Sequence, residues 1–124
     1  MTKNFSKSEF DSKDGEIMPH CVYENIKELG NNIQVVRNFI GKPMKIKSGY
    51  RSIRHNRIIG SKDTSQHTYG KACDISIEDI SPIELYEIIE ALIEEGAIRE
   101  GGLGLYNTFV HYDIRGTKAR WDNT

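Results

Sequence analysis

The sequence predicts an α+β chain: a small, mainly antiparallel sheet with flanking helices. Two observations carry that expectation. Val22, Ile26, Leu29, Ile33, Val36 and Ile40 recur every three or four residues, as do Leu85, Ile88, Ile89, Leu92 and Ile93, and each set forms one apolar helix face. Around them lie short strand-like runs: Met44-Lys45-Ile46-Lys47-Ser48, Ala72 to Ile77, Gly101 to Tyr106 and Phe109 to Ile114. The order is helices, strand, strand, helix, hairpin.

Each element has its own local reason. Ser6-Lys7-Ser8-Glu9 has the spacing of a capping box and starts one short helical turn, with Phe5 and Phe10 as its anchors into the body. Asp14-Gly15 reads as a turn. The first long helix follows Pro19. Gly30-Asn31-Asn32 interrupts it, but the apolar phase continues across the gap, which favours one helix. Gly41 supplies its stop, with Pro43 just beyond. After the Met44–Ser48 strand the chain turns at Gly49-Tyr50-Arg51-Ser52. Residues 53–59 suit a short helix closed by Gly60, and 61–68 a polar loop that delivers His67. Ser81-Pro82-Ile83-Glu84 is a strong helix start: a cap, proline at the first position and glutamate at the third. Gly96 ends that helix. Glu84, Glu87, Glu90, Glu94 and Glu95 lie along it and read as a solvated face rather than a cation site. The last strands pair as a hairpin near Asn107-Thr108, and Trp121 in the tail is expected to seal an edge of the core.

Bulk properties narrow the function. A chain of 124 residues suits one domain with one core, here residues 1–124. Seventeen basic against eighteen acidic residues give a net charge of −1, with no clustered basic face for nucleic acid. No apolar run is long enough to span a membrane, and Met1 to Ser6 lacks the apolar centre of a signal peptide. The expectation is therefore a monomer made in the cytoplasm, without membrane insertion. Cys21 and Cys73 are too few and too far apart for a disulfide framework. Cys73 precedes Asp74, so if Asp74 faces a site in a strand, Cys73 faces the core.

The chemistry concentrates in Ser65-Gln66-His67-Thr68-Tyr69-Gly70-Lys71-Ala72-Cys73-Asp74. His67 and Asp74 converge if Gly70 lets the chain bend between them. His111 lies far downstream in Phe109-Val110-His111-Tyr112-Asp113-Ile114. Two imidazoles and a carboxylate suit a zinc ion that keeps one position open for water. His-x6-Asp alone is a weak signal. His20 and His55 stay outside the candidate site, although His55 is near Arg51 in sequence.

Three blocks carry a resemblance: Ser48-Gly49-Tyr50-Arg51-Ser52; Ser65-Gln66-His67 to Asp74; and Gly102-Leu103-Gly104-Leu105-Tyr106 with Phe109-Val110-His111-Tyr112-Asp113. In order and spacing they resemble the D-alanyl-D-alanine carboxypeptidase-type zinc peptidases of the M15 family, which share a fold with the hedgehog signalling domain. Phe5-Ser6, Glu9-Phe10 and Arg120-Trp121 are also similar to short phage and bacterial members, so the resemblance covers almost the whole chain. It implies one Zn2+ held by His67, Asp74 and His111. It implies that Arg51 holds a substrate carboxylate or polarises the scissile carbonyl, a task that suits its planar fork of donors. Ser65 matches a substrate-contacting position.

One departure matters. Many members carry an acidic general base three residues before the last histidine ligand, and here that position is Thr108. Asp113 shares a strand face with His111 and is the candidate substitute, either as the base or as a partner that orients His111. Tyr106, five before His111 where some relatives use a histidine, either helps to stabilise the oxyanion or is a core tyrosine.

The resemblance thus implies hydrolysis of peptidoglycan stem peptides, as a D-Ala-D-Ala carboxypeptidase or an endolysin-type endopeptidase acting on the wall after phage-type release. The competing reading is a non-catalytic zinc domain of the same fold that serves structure or a partner. Thr108 keeps that alternative open.

Overall fold

The apolar periodicity of residues 20–40 becomes one unbroken helix, α1 (His20–Ile40), in the computed structural model, which describes residues 1–124. Gly30 at mid-helix costs roughly 1 kcal/mol against alanine. Burying Leu29 and Ile33 completely on either side stabilises by roughly 1.5–3 kcal/mol each, so packing wins. Asn32 also serves the helix. Its Nδ2 donates to the Glu28 carbonyl at 2.9 Å, and its Oδ1 accepts from the Arg99 backbone N–H at 2.7 Å. Gly41, at φ 73°, closes α1 with a left-handed cap.

The remaining elements are β1 (Lys45–Ser48), α2 (Ile53–Ile58), β2 (Ala72–Ser76), α3 (Pro82–Glu94), β3 (Gly102–Leu105), β4 (Val110–Asp113) and β5 (Ala119–Asp122). Short 3-10 turns cover Lys7–Phe10 and Gln66–Tyr69. The Ser81 hydroxyl caps α3 by accepting from the Glu84 N–H at 3.3 Å. The five strands form one sheet in the order β1-β2-β4-β3-β5. Three pairings are antiparallel, and β5 runs parallel to β3. The fold is α+β, as expected, with a mixed sheet. No helix is long and apolar enough to cross a membrane.

One face of the sheet is core. Cys73, Tyr112 and Leu103 stand in register across β2, β4 and β3, all fully buried with Ile26, Leu29 and Ile33 of α1 and Leu85 and Ile89 of α3. Phe5 and Phe10 join this core, and the Tyr50 N–H donates to the Phe10 carbonyl at 2.8 Å. Glu90 departs from the solvated series on α3: its carboxylate accepts from Arg120 at 2.7 and 2.9 Å.

The tail differs from expectation. Residues 119–122 form β5, and Trp121 stands opposite Gly104 on the face away from the core. Ala119-Arg120-Trp121-Asp122 alternates over only four residues, too short a run to identify a strand, and its parallel pairing with β3 is not a local feature.

Candidate metal centre

The strand register builds the site. Ser48 pairs with Asp74, Asp74 with His111, His111 with Gly104, and Gly104 with Trp121. These five residues form a single row across all five strands, on the face opposite Cys73 and Tyr112. His67 joins them from the 3-10 turn Gln66–Tyr69, whose first amides the Ser65 hydroxyl caps at His67 N (3.3 Å). Gly70 ends that turn at φ 73° and lets the chain enter β2, so the bend between His67 and Asp74 falls where a glycine permits it.

Asp74 Oδ1 lies 3.3 Å from His67 Nε2 and 3.3 Å from His111 Nδ1. The three side chains are buried, and one donor atom from each lies within 4.8 Å of the others. The other ring nitrogens are already committed. His67 Nδ1 donates to the Gly49 carbonyl at 2.7 Å, and His111 Nε2 donates to Asp113 Oδ2 at 2.7 Å. Those bonds fix the tautomers and leave lone pairs on His67 Nε2 and His111 Nδ1, both turned to Asp74. Four-coordinate ions with bonds of about 2.0–2.2 Å have ligand-to-ligand edges of about 3.3–3.6 Å. The donor set fits a metal ion in its chemistry, and the two edges that meet at Asp74 have that length.

The charges are arranged to match. Burial pulls His67 below its ordinary pKa, only partly offset by Asp74, which favours the neutral, ligating ring. Burial would raise the Asp74 carboxyl, but hydrogen bonds from His111 and His67 hold it well below the usual carboxylate range. For His111 burial acts downward, yet Asp113 and Asp74 more than reverse it, and its pKa is raised. In acid a proton competes with a metal for the His111 Nδ1 lone pair, so binding weakens as pH falls.

The metal donors open onto a cleft of about 370 Å³. Arg51 enters from the turn after β1. Its Nε donates to Ser48 Oγ at 3.3 Å, Nη1 to Asn56 Oδ1 at 3.4 Å and Nη2 to Asp74 Oδ2 at 3.3 Å. Asn56, not His55, is thus the α2 residue that meets Arg51. Ser65 and Tyr106 line the cleft, as do three aromatic and cationic residues that sequence reasoning did not place there: Phe109, Arg115 and Trp121. Tyr106 stacks on Phe109 at 4.4 Å rather than entering the core.

Asp113 occupies a different position from a group that meets water in the cleft. Its side chain is 0% exposed and lies behind the His111 ring. Oδ1 accepts from the backbone N–H groups of Gly102 and Arg115 at 2.8 and 3.1 Å, and the Arg115 guanidinium grips both oxygens at 2.9 and 2.7 Å. Burial would raise its pKa, but His111 and Arg115 hold it well below the usual range. Of its two expected roles, the geometry fits the one that orients His111. Thr108 is exposed, and Asp74 is the only carboxylate in the cleft lining.

The family model described as Peptidase M15 matches residues 3–113, which include every donor and Arg51 but not β5. A search of curated proteins found no match.

Proposed function

The chain belongs to the Peptidase M15 family, and on that premise we propose that it is a zinc metallopeptidase hydrolysing peptide bonds in bacterial cell-wall stem peptides. The observation that carries this reading is the convergence of His67 Nε2 and His111 Nδ1 on Asp74 Oδ1, each at 3.3 Å, in an open cleft. Two imidazoles and one carboxylate are a ligand set of catalytic zinc, with a fourth position left to water or substrate. Zinc bound there supplies Lewis acidity and lowers the pKa of its water from 15.7 to about 7.

The protein's own groups do the rest. Asp113 takes the His111 Nε2 proton as a hydrogen bond, which keeps Nδ1 free and the ring fixed. Arg51 is held by Ser48, Asn56 and Asp74, and its guanidinium lines the cleft, where it engages a substrate carboxylate. Tyr106 lines the same cleft, and its hydroxyl is assigned to donate to the carbonyl oxygen that gains negative charge. Ser65 both caps the His67 turn and offers its polar atoms to the peptide. Arg51, Lys62 and Arg115 against Asp74 give the cleft an excess of positive charge, which favours anionic peptides such as stem peptides with free carboxylates. The absence of a further carboxylate in the lining favours one second reading, a zinc domain that binds wall peptides without cutting them.

Digestion of purified peptidoglycan fragments, read by mass spectrometry, decides between the two. Product masses that map to one scissile bond support the peptidase. Fragments that stay intact while binding the zinc-loaded protein establish the binding domain instead.

A further inference from the structure

Trp121 lies in β5, beyond the residues matched by the family, yet it reaches the centre of the site. Its indole is 4.9 Å from the His111 ring, and its Nε1 is 3.0 Å from the Tyr106 hydroxyl. Gly104 makes this possible: a Cβ there would fall 2.3 Å from the indole, so only glycine leaves room for the ring to lie across β3. Other contacts hold both aromatic rings. The Arg115 guanidinium, gripped by Asp113, sits 5.6 Å from the centre of the Trp121 ring, and Tyr106 is stacked on Phe109.

The direction of the Trp121–Tyr106 bond has a chemical consequence. An indole N–H only donates, so the phenol oxygen must accept. The phenol proton is then free to be given elsewhere, and no protein acceptor takes it. Accepting one hydrogen bond also polarises the O–H and makes it a stronger donor. We infer that Trp121 is a positioning residue that turns the Tyr106 hydroxyl into a dedicated donor for the substrate oxygen that becomes negative. This rests on the peptidase reading given above. Trp121 touches no reacting atom in this scheme and acts only through Tyr106.

The test uses Tyr106→Phe, Trp121→Phe and the double variant, all zinc-loaded. Phenylalanine at 121 keeps an aromatic ring against His111 and removes the N–H. Because the chain has one tryptophan, its single indole N–H resonance can be followed without assignment. Tyr106→Phe should shift that resonance upfield in the absence of any peptide. With a stem-peptide substrate, Tyr106→Phe should lower kcat by about 100-fold, the scale of a lost oxyanion donor. Trp121→Phe should lower kcat by about five- to tenfold, the scale of one neutral hydrogen bond, with KM and zinc affinity unchanged. The double variant should be no slower than Tyr106→Phe alone. An unmoved indole resonance, a Trp121→Phe enzyme as fast as the parent, or losses that multiply in the double variant would each overturn the inference while leaving the peptidase reading intact. A parent protein that cleaves no wall peptide overturns both.

Discussion

Asp113 Oδ2 accepts from His111 Nε2 at 2.7 Å, and the carboxylate that makes this bond is closed off from the cleft by the ring it holds. The relationship sets which nitrogen of His111 is left for a metal. It also makes a clear prediction for Asp113→Asn, which keeps the shape and removes the charge. Zinc affinity should fall by about 10–100-fold, the usual cost of losing a ligand's hydrogen-bonding partner. Competition with a chromophoric chelator measures it. Unchanged zinc affinity combined with lost turnover would instead make Asp113 the proton acceptor.

Arg51→Lys tests the guanidinium fork. A lysine keeps the positive charge but cannot contact Ser48, Asn56 and Asp74 and still present a planar face to a carboxylate. We expect kcat/KM for a peptide with a free carboxylate to fall roughly 10–100-fold, the scale of one charge-assisted hydrogen bond. A matched peptide amide, which offers no carboxylate, should lose much less. Equal losses on both substrates would assign Arg51 to the scissile carbonyl.

Gly104→Ala should damage the site through Trp121 rather than through the strand. The added methyl collides with the indole, and overpacking of this kind costs about 1–3 kcal/mol. Denaturant unfolding followed by Trp121 fluorescence reads both effects at once. The expected result is a lower midpoint together with a changed native emission spectrum. A native spectrum identical to the parent would mean that the indole does not lie over Gly104.

A pH dependence follows from Asp14. Its carboxylate accepts from Ser52 Oγ at 2.6 Å, Ser12 Oγ at 2.7 Å and the Glu16 N–H at 3.1 Å, ties that fasten the N-terminal segment to the turn carrying Arg51. The Ser52 bond is the largest influence, followed by Ser12, and together they pull the pKa from 3.8 down to about 2. A carboxyl whose folded pKa is depressed contributes stability above its unfolded pKa, and that contribution disappears as pH falls through the folded value. Asp14→Asn should therefore melt below the parent at neutral pH, with the gap in Tm closing as pH falls from 3.8 towards about 2. A gap that persists unchanged at the acid end would place the effect elsewhere.

The helices were the most legible part of the chain. Residues 20–40 and 82–94 carry an apolar period of three to four residues and explicit stop or start signals in Gly41 and Ser81, all of which act locally. His67, Asp74 and His111 could be read as a group from their residue types and, above all, from the resemblance of their sequence blocks to a known family, alternation serving only to turn Cys73 to the core; the structure brings the three together. Trp121 was not legible in the same way. Its place depends on a parallel pairing of β5 with β3, in a strand of four residues whose alternation is too short to identify it. For Asp113 the strand face was readable, but the side of the His111 ring on which it lies depends on the orientation of that ring, which no spacing reports.

The central claim is that His67, Asp74 and His111 hold one zinc ion that is required for cutting wall peptides. Zinc content and stem-peptide cleavage measured on the same sample, before and after a chelator, test it most directly. The expected result is one zinc per chain, cleavage that stops when the metal is withdrawn and returns when zinc is restored, and neither zinc nor cleavage in His111→Ala. Cleavage that continues undiminished in the chelated protein, or a His111→Ala variant that still binds zinc tightly, would contradict it.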